Sequence, residues 1–231
     1  EESLQFKNVL NDFGVAIRDD CLLNQALTHP SYINENPDNP VESYQRLEFL
    51  GDAVVGLVTA LELHQSRKDM NEGELTKMRA HLVQEKTLAN VATRLDMGSY
   101  LRLGKGEATS GGRSRDSNLS AAFESLVGAI FLDQGFDISR KFILQCLEQE
   151  IRDVLDFGIP TDPKVELQEL VQSVYGESPI YKISDGIKSH DADFVIEVYV
   201  DGKMLGTGNG QRMVDAEREA ASLALNEIRK T

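Results

Sequence analysis

Glu48 and Asp52 stand four residues apart in the run Gln45-Arg46-Leu47-Glu48-Phe49-Leu50-Gly51-Asp52. At helical spacing both carboxylates emerge from one face. Two acids so placed repel each other unless a cation lies between them, and a hard divalent metal bound through oxygen is the simplest such cation. The same spacing also describes a solvated acidic stripe, so the pair alone leaves both readings open. Glu124 is a third acid of interest. It sits among core-type residues, Phe123 before it and Leu126 after it, where a carboxylate must be paired or act as a ligand. No covalent nucleophile is evident: Cys21 and Cys146 are isolated and the four histidines are scattered.

Two helices must position these acids. Leu47, Leu50, Val54, Leu57, Val58 and Leu61 predict a mostly buried amphipathic helix carrying Glu48 and Asp52. Leu119, Ala122, Phe123, Leu126, Val127 and Ile130 predict a second, over 118–131, carrying Glu124. Around them, residues 1–155 read as an all-helical domain. Asn71 and Glu74 form a capping box, which makes Glu74 structural and leaves Glu72 free to face elsewhere. The Asn- and Pro-rich stretch 30–40 and the Gly-rich stretch 104–112 read as loops; the latter lacks phosphate-loop spacing. Residues 85–97 predict a helix closed by Gly98, and 138–156 another. Residues 156–162 then read as a linker, and the period changes. Pro163 opens a helix with Leu167, Leu170, Val171 and Val174 on one face. Tyr181–Ile183, Phe194–Val200 and Lys203–Leu205 predict strands, with Asp201-Gly202 as a hairpin turn, before a loop at 206–210 and a final helix over 214–228. The expected fold is therefore multi-domain: an all-α domain (1–155) followed by a small α+β module of α-β-β-β-α order (163–231).

At 231 residues with 41% hydrophobic and 27% charged content, the chain suits a soluble globular protein with an adequate core. No apolar run is long enough to span a bilayer and no basic-plus-apolar leader is present, so no membrane partner and a cytoplasmic location are expected. Asn118-Leu119-Ser120 matches a glycosylation acceptor, a match expected to be accidental. The net charge of −14 argues against a bulk electrostatic grip on nucleic acid. Before Pro163 there are 16 Lys/Arg against 26 Asp/Glu, and from it onward 8 against 12, so neither part is basic. A polyanion would have to be held by a few placed residues or by bridging metal ions.

Arg46-Leu47-Glu48-Phe49-Leu50-Gly51-Asp52 resembles the signature of bacterial ribonuclease III. The likeness extends, in the family's order, to Leu27-Thr28-His29-Pro30-Ser31-Tyr32, to 72–80 and to 123–133. Residues 163–231 resemble a double-stranded RNA-binding domain, through Leu167-Gln168-Glu169-Leu170, His190 and 216–221. The resemblance implies a homodimeric, magnesium-dependent endonuclease that cuts double-stranded RNA, in rRNA and mRNA precursor processing, with Mn2+ as a substitute for Mg2+. It implies metal-site acids at Glu48, Asp52, Glu72 and Glu124, with Glu48, Asp52 and Glu124 catalytic. It places Phe49 at the dimer interface and Gln168, Glu169, His190 and Arg212 on RNA. His29 reads as a hydrogen-bonded structural residue.

Two positions depart from the family pattern. An Asp is expected three residues before Glu124, and Ala121 stands there. Water filling the gap, a weak or silent nuclease that still binds duplex, and an acid removed by design are the three readings. A lysine pair is expected before the last helix, where Met213 and Val214 stand with Arg212 beside them. Weak duplex binding with a shallow salt dependence is the expectation.

Overall fold

The computed structural model describes residues 2–38, 41–159, 162–184 and 194–229. They form two units, Glu1–Ile159 and Pro160–Thr231.

The first unit is helical: α1 (Glu2–Asp12), α2 (Asp20–Ala26), α3 (Pro30–Glu35), α4 (Gln45–Ser66), α5 (Glu72–Val83), α6 (Glu85–Arg94), α7 (Met97–Tyr100), α8 (Lys105–Thr109), α9 (Asp116–Gln134), α10 (Phe136–Cys146) and α11 (Glu148–Phe157). Local sequence explains the starts. Asp19 accepts hydrogen bonds from the backbone N–H of Cys21 and Leu22 to cap α2. Asn71 and Glu74 close the predicted capping box at α5, with bonds of 3.0 and 2.9 Å. α9 is buried almost all round, and Glu124 is the one charged residue in its central turns. A helix apolar on every side belongs at the centre of a core. α4, α6, α2 and α10 pack around it, and Phe6, Phe123, Phe142 and Leu10 are fully buried there.

Several short elements differ from the sequence expectation. Residues 30–35 are helical, because Pro30 sits at the first helical position and the His29 ring caps the N–H of Ser31 at 3.0 Å. Lys105–Thr109 and a 3-10 turn at Gly112–Ser114 interrupt the predicted Gly-rich loop. Gly98 falls inside α7 rather than ending a helix; a methyl there would lie 2.2 Å from the Arg113 carbonyl oxygen. The helix expected over 138–156 is two helices, broken at Leu147.

The second unit comprises α12 (Pro163–Tyr175), β1 (Ile180–Ile183), β2 (Phe194–Val200), β3 (Lys203–Gly210) and α13 (Met213–Ile228). Its sheet is antiparallel in the order β1-β2-β3, with Ile180 opposite Tyr199 and Tyr199 opposite Met204. Asp201 and Gly202 both have positive φ (48° and 72°), as the predicted hairpin turn requires. β3 continues through 206–210, which the sequence presents as a loop. Its glycines face α13, and a methyl at Gly208 would lie 2.2 Å from the Ala216 carbonyl oxygen. Gly206, Gly208 and Gly210 thus let helix and strand meet backbone to backbone over Ala216, Ala220 and Ala224.

Candidate active site

The acids meet where α4 crosses α9. No side chain separates the helices at that point. A methyl on Gly51 would stand 1.7 Å from the Glu124 carbonyl oxygen, and one on Gly128 would stand 2.3 Å from that of Leu47. Gly51 lies three residues after Glu48 and next to Asp52, so the point of closest approach is also where the carboxylates gather.

Their electrostatics reflect that crowding. Burial pushes the Glu48 carboxyl above its ordinary value, and the negative charge of Asp52 pushes it further. Glu124 is raised to about 8, first by burial and then by Asp52 and Glu48. The charges acting on these two carboxyls are those of fellow acids. Such a group is a poor ion pair and a good receptor for a hard cation.

Glu72 is not among the charges that act on the Glu48 and Glu124 carboxyls. It is exposed at the first turn of α5, with the Thr76 hydroxyl donating to it at 3.4 Å. It lines an apolar groove of about 470 Å³ with Leu57, Leu61, His64 and Leu75. The groove residue nearest Asp52 along the helix is Leu57, five residues beyond it and roughly 7–8 Å along the helix axis at 1.5 Å per residue. Among the described residues no three acidic, histidine or cysteine side chains close into a metal cage. The donor set of Glu48, Asp52 and Glu124 suits a cation that keeps part of its water shell rather than one held wholly by protein. Ala121, 9% exposed and one turn before Glu124, adds a methyl where a fourth oxygen would stand.

Two nearby residues escaped the sequence reading. Tyr44 is buried, and its phenol is raised by burial and by the charges of Glu48 and Glu107. Its position four residues before Glu48 was the available signal. Glu107 pairs with Arg115 and accepts a 2.8 Å bond from Asn118; nothing in its local sequence marks it. Phe49 projects from α4 with 81% of its surface exposed.

In the second unit, Gln168 is exposed on α12, and its amide donates to the Ser178 hydroxyl at 2.7 Å. Glu169 is exposed one residue on. His190 lies outside the described residues. Arg212, at the N-cap of α13, is held by Asp215 through bonds of 2.7 and 3.0 Å. Met213 and Val214 beside it are 43% and 39% exposed. Other cations of this unit are also engaged: Lys164 with Glu217, Arg218 with Asp162, and Arg229 with Glu166.

Residues 19–151 match the family model described as ribonuclease-III-like, and residues 163–228 that of the double-stranded RNA binding motif. The chain is 45% identical to ribonuclease 3 of Pelotomaculum thermopropionicum, over 93% of this chain and 90% of that one. It is 47% identical to ribonuclease 3 of Desulforamulus reducens, over 90% and 85%. Among solved structures it resembles the nuclease domain of ribonuclease III from Campylobacter jejuni, with a TM-score of 0.57 and 35% identity over 62% of this chain and 96% of that one. That structure is described for flexibility in a region involved in dimer formation. No helix among the described residues is long and apolar enough to cross a membrane. With a helical nuclease-type unit that gathers three acids at one crossing and an RNA-binding motif behind it, the chain belongs to the ribonuclease III family.

Proposed function

We propose that the chain is a divalent-metal-dependent endonuclease that hydrolyses phosphodiesters of double-stranded RNA, working as a homodimer on rRNA and mRNA precursors. The observation that carries this is the meeting of Glu48, Asp52 and Glu124 at the α4–α9 crossing, where the charges acting on Glu48 and Glu124 are those of fellow acids. A bound Mg2+, or Mn2+ in its place, would lower the pKa of a coordinated water and draw charge from the phosphate. Glu48 and Asp52 supply oxygens from one face of α4, and Glu124 supplies one from α9. The close helix crossing fixes their spacing, and the half-burial of Glu48 and Glu124 limits competing water.

The dimer reading rests on the outward face of α4. Phe49 and Leu57 are exposed there at 81% and 51%, and the apolar groove lies along the same helix. Apolar surface of this kind is characteristic of a protein contact. Glu72, which lines that groove, would serve the acids of a partner subunit across a two-fold axis.

Ala121 favours a second reading, a dimeric duplex-RNA binder whose nuclease site is silent. Perfectly paired RNA incubated with the protein separates the two. Cleavage to short fragments with 3′ overhangs in Mg2+, and none without it, supports the nuclease. RNA that stays intact over a wide range of protein and metal, while still shifting in a gel, establishes the silent binder.

A further inference from the structure

Gly51 and Gly128 let α4 and α9 touch backbone to backbone, but a contact made at glycines has no side chain seated in a groove to lock it. At that point a roll of α9 about its own axis is weakly opposed. Such a roll matters to the acids. A carboxylate at a side-chain radius of about 5–6 Å travels about 1 Å when the helix turns by about 10°. Misplacement by about 1 Å can cost a site about 100-fold. Something besides the crossing must set the roll.

A buried hydrogen bond beside Glu124 does so. Ser125 is fully buried, and its hydroxyl donates to the Ala26 carbonyl at 3.0 Å. That carbonyl ends α2, where helix geometry leaves it without a backbone donor. The residue four on is Pro30, which has no N–H, and the N–H of His29 goes to the Arg102 carbonyl at 3.0 Å. Breaking the Ser125 bond would therefore strand a buried carbonyl. The acceptor end is itself fixed: the Arg102 N–H donates to the Leu27 carbonyl at 2.8 Å, and the buried Thr28 hydroxyl donates to the Asn24 carbonyl at 2.6 Å. The same segment holds α4. The N–H of Tyr44, its N-cap residue, donates to the Thr28 carbonyl at 2.9 Å, and Leu47 joins Ala26 and Ala129 in one small buried cluster. Residues 26–28 thus give both acid-bearing helices a common frame, gripping α4 beside Glu48 and α9 beside Glu124.

We propose that Ser125 is a positioning residue for Glu124, its bond to the Ala26 carbonyl setting the roll of α9 that brings the carboxylate to Glu48 and Asp52. The inference rests on the metal-site reading of those three acids. Being fully buried, Ser125 touches neither metal nor RNA and acts only through the helix.

Binding of Mn2+ to the full chain without RNA, followed by electron paramagnetic resonance, tests this, with Tm measured on the same samples. Ser125→Ala removes the donor at little change in volume. It should weaken Mn2+ binding about 10- to 100-fold, the range for groups that orient ligands. Ser125→Cys keeps a weak donor and should fall between Ser125→Ala and the unaltered chain. Ser139→Ala controls for lost stability alone. That serine is also fully buried, and its hydroxyl donates to the carbonyl of Gly135, the residue that ends α9, at 2.9 Å. Its loss should lower Tm and leave Mn2+ binding as it was. In duplex cleavage, Ser125→Ala should raise the Mg2+ needed for half-maximal rate by the same factor as it weakens Mn2+. KM for the duplex should not change, and kcat should recover at saturating Mg2+, because excess metal draws the carboxylates together again. Unchanged Mn2+ affinity in Ser125→Ala overturns the proposal, whatever its Tm, as does an equal loss of affinity in Ser139→Ala. If the unaltered chain binds no Mn2+, the metal reading of the acids falls, and this inference with it.

Discussion

At the scale of single residues, Glu124 is a carboxyl that burial and neighbouring acids hold far above its ordinary value. Its carboxyl is lifted to about 8 from an ordinary 4.5. Between those values the metal-free folded chain keeps a proton that the unfolded chain has lost. Folding stability therefore falls as pH rises from about 4.5 to 8 and stays low above that. Glu124→Gln removes the liability. In chelator, its Tm should exceed that of the unaltered chain by several degrees at pH 8, at about 2–4 °C per kcal/mol for a unit of this size, and match it near pH 4.5. The same variant should lose cleavage by about 100-fold or more while still shifting duplex RNA in a gel, since a ligand matters at least as much as a group that only orients one. Ala121→Asp should lower the Mg2+ needed for half-maximal cleavage, by about 10-fold, because it returns an oxygen beside Glu124; titration of the rate with Mg2+ reads this directly. Glu48 and Asp52 were legible from spacing, and Glu124 from a charge inside an apolar run. The buried bond from Asn118 to Glu107 was not, because nothing in the local sequence of either residue marks it.

At the scale of elements, the α4–α9 crossing is a contact between backbones, and Gly51 and Gly128 exist to allow it. Gly51→Ala must push the helices apart, since a carbonyl carbon and oxygen cannot turn aside as a flexible side chain would. The expected loss is about 3 kcal/mol, the upper part of the range for overpacked cores. Calorimetry should show a lower Tm for the nuclease unit, accompanied by loss of cleavage. Gly208→Ala applies the same strain at the β3–α13 contact and should lower only the transition of the second unit. Long periodic helices such as α4 and α9 were legible in the sequence. The six residues of α3 and five of α8 are too few to display a period, and both lie in stretches dense in turn formers. β3 was read short for the opposite reason: glycine marks a turn by default, whereas here three glycines serve as a flat track for a helix.

At the scale of the whole molecule, the net charge is −14, and among the described residues of the second unit Lys164, Arg212, Arg218 and Arg229 are each paired with an acid. Duplex RNA must take Arg212 away from Asp215 to use it. The log of duplex affinity should therefore fall only gently with the log of salt, and Arg212→Ala should reduce that slope by about 1. A slope as steep as that of a strongly basic domain would show that other cations reach the phosphates. The two units also differ in what holds them together. The nuclease unit encloses large aromatic and aliphatic side chains around α9, whereas the core of the second unit is a few valines, isoleucine and leucines set against four alanines. Small side chains bury little surface, so the RNA-binding unit has the thinner margin against heat. Warming then detaches grip from chemistry: as temperature rises, KM for the duplex should climb while kcat holds, and turnover should fail only when the second, hotter transition reaches the acids.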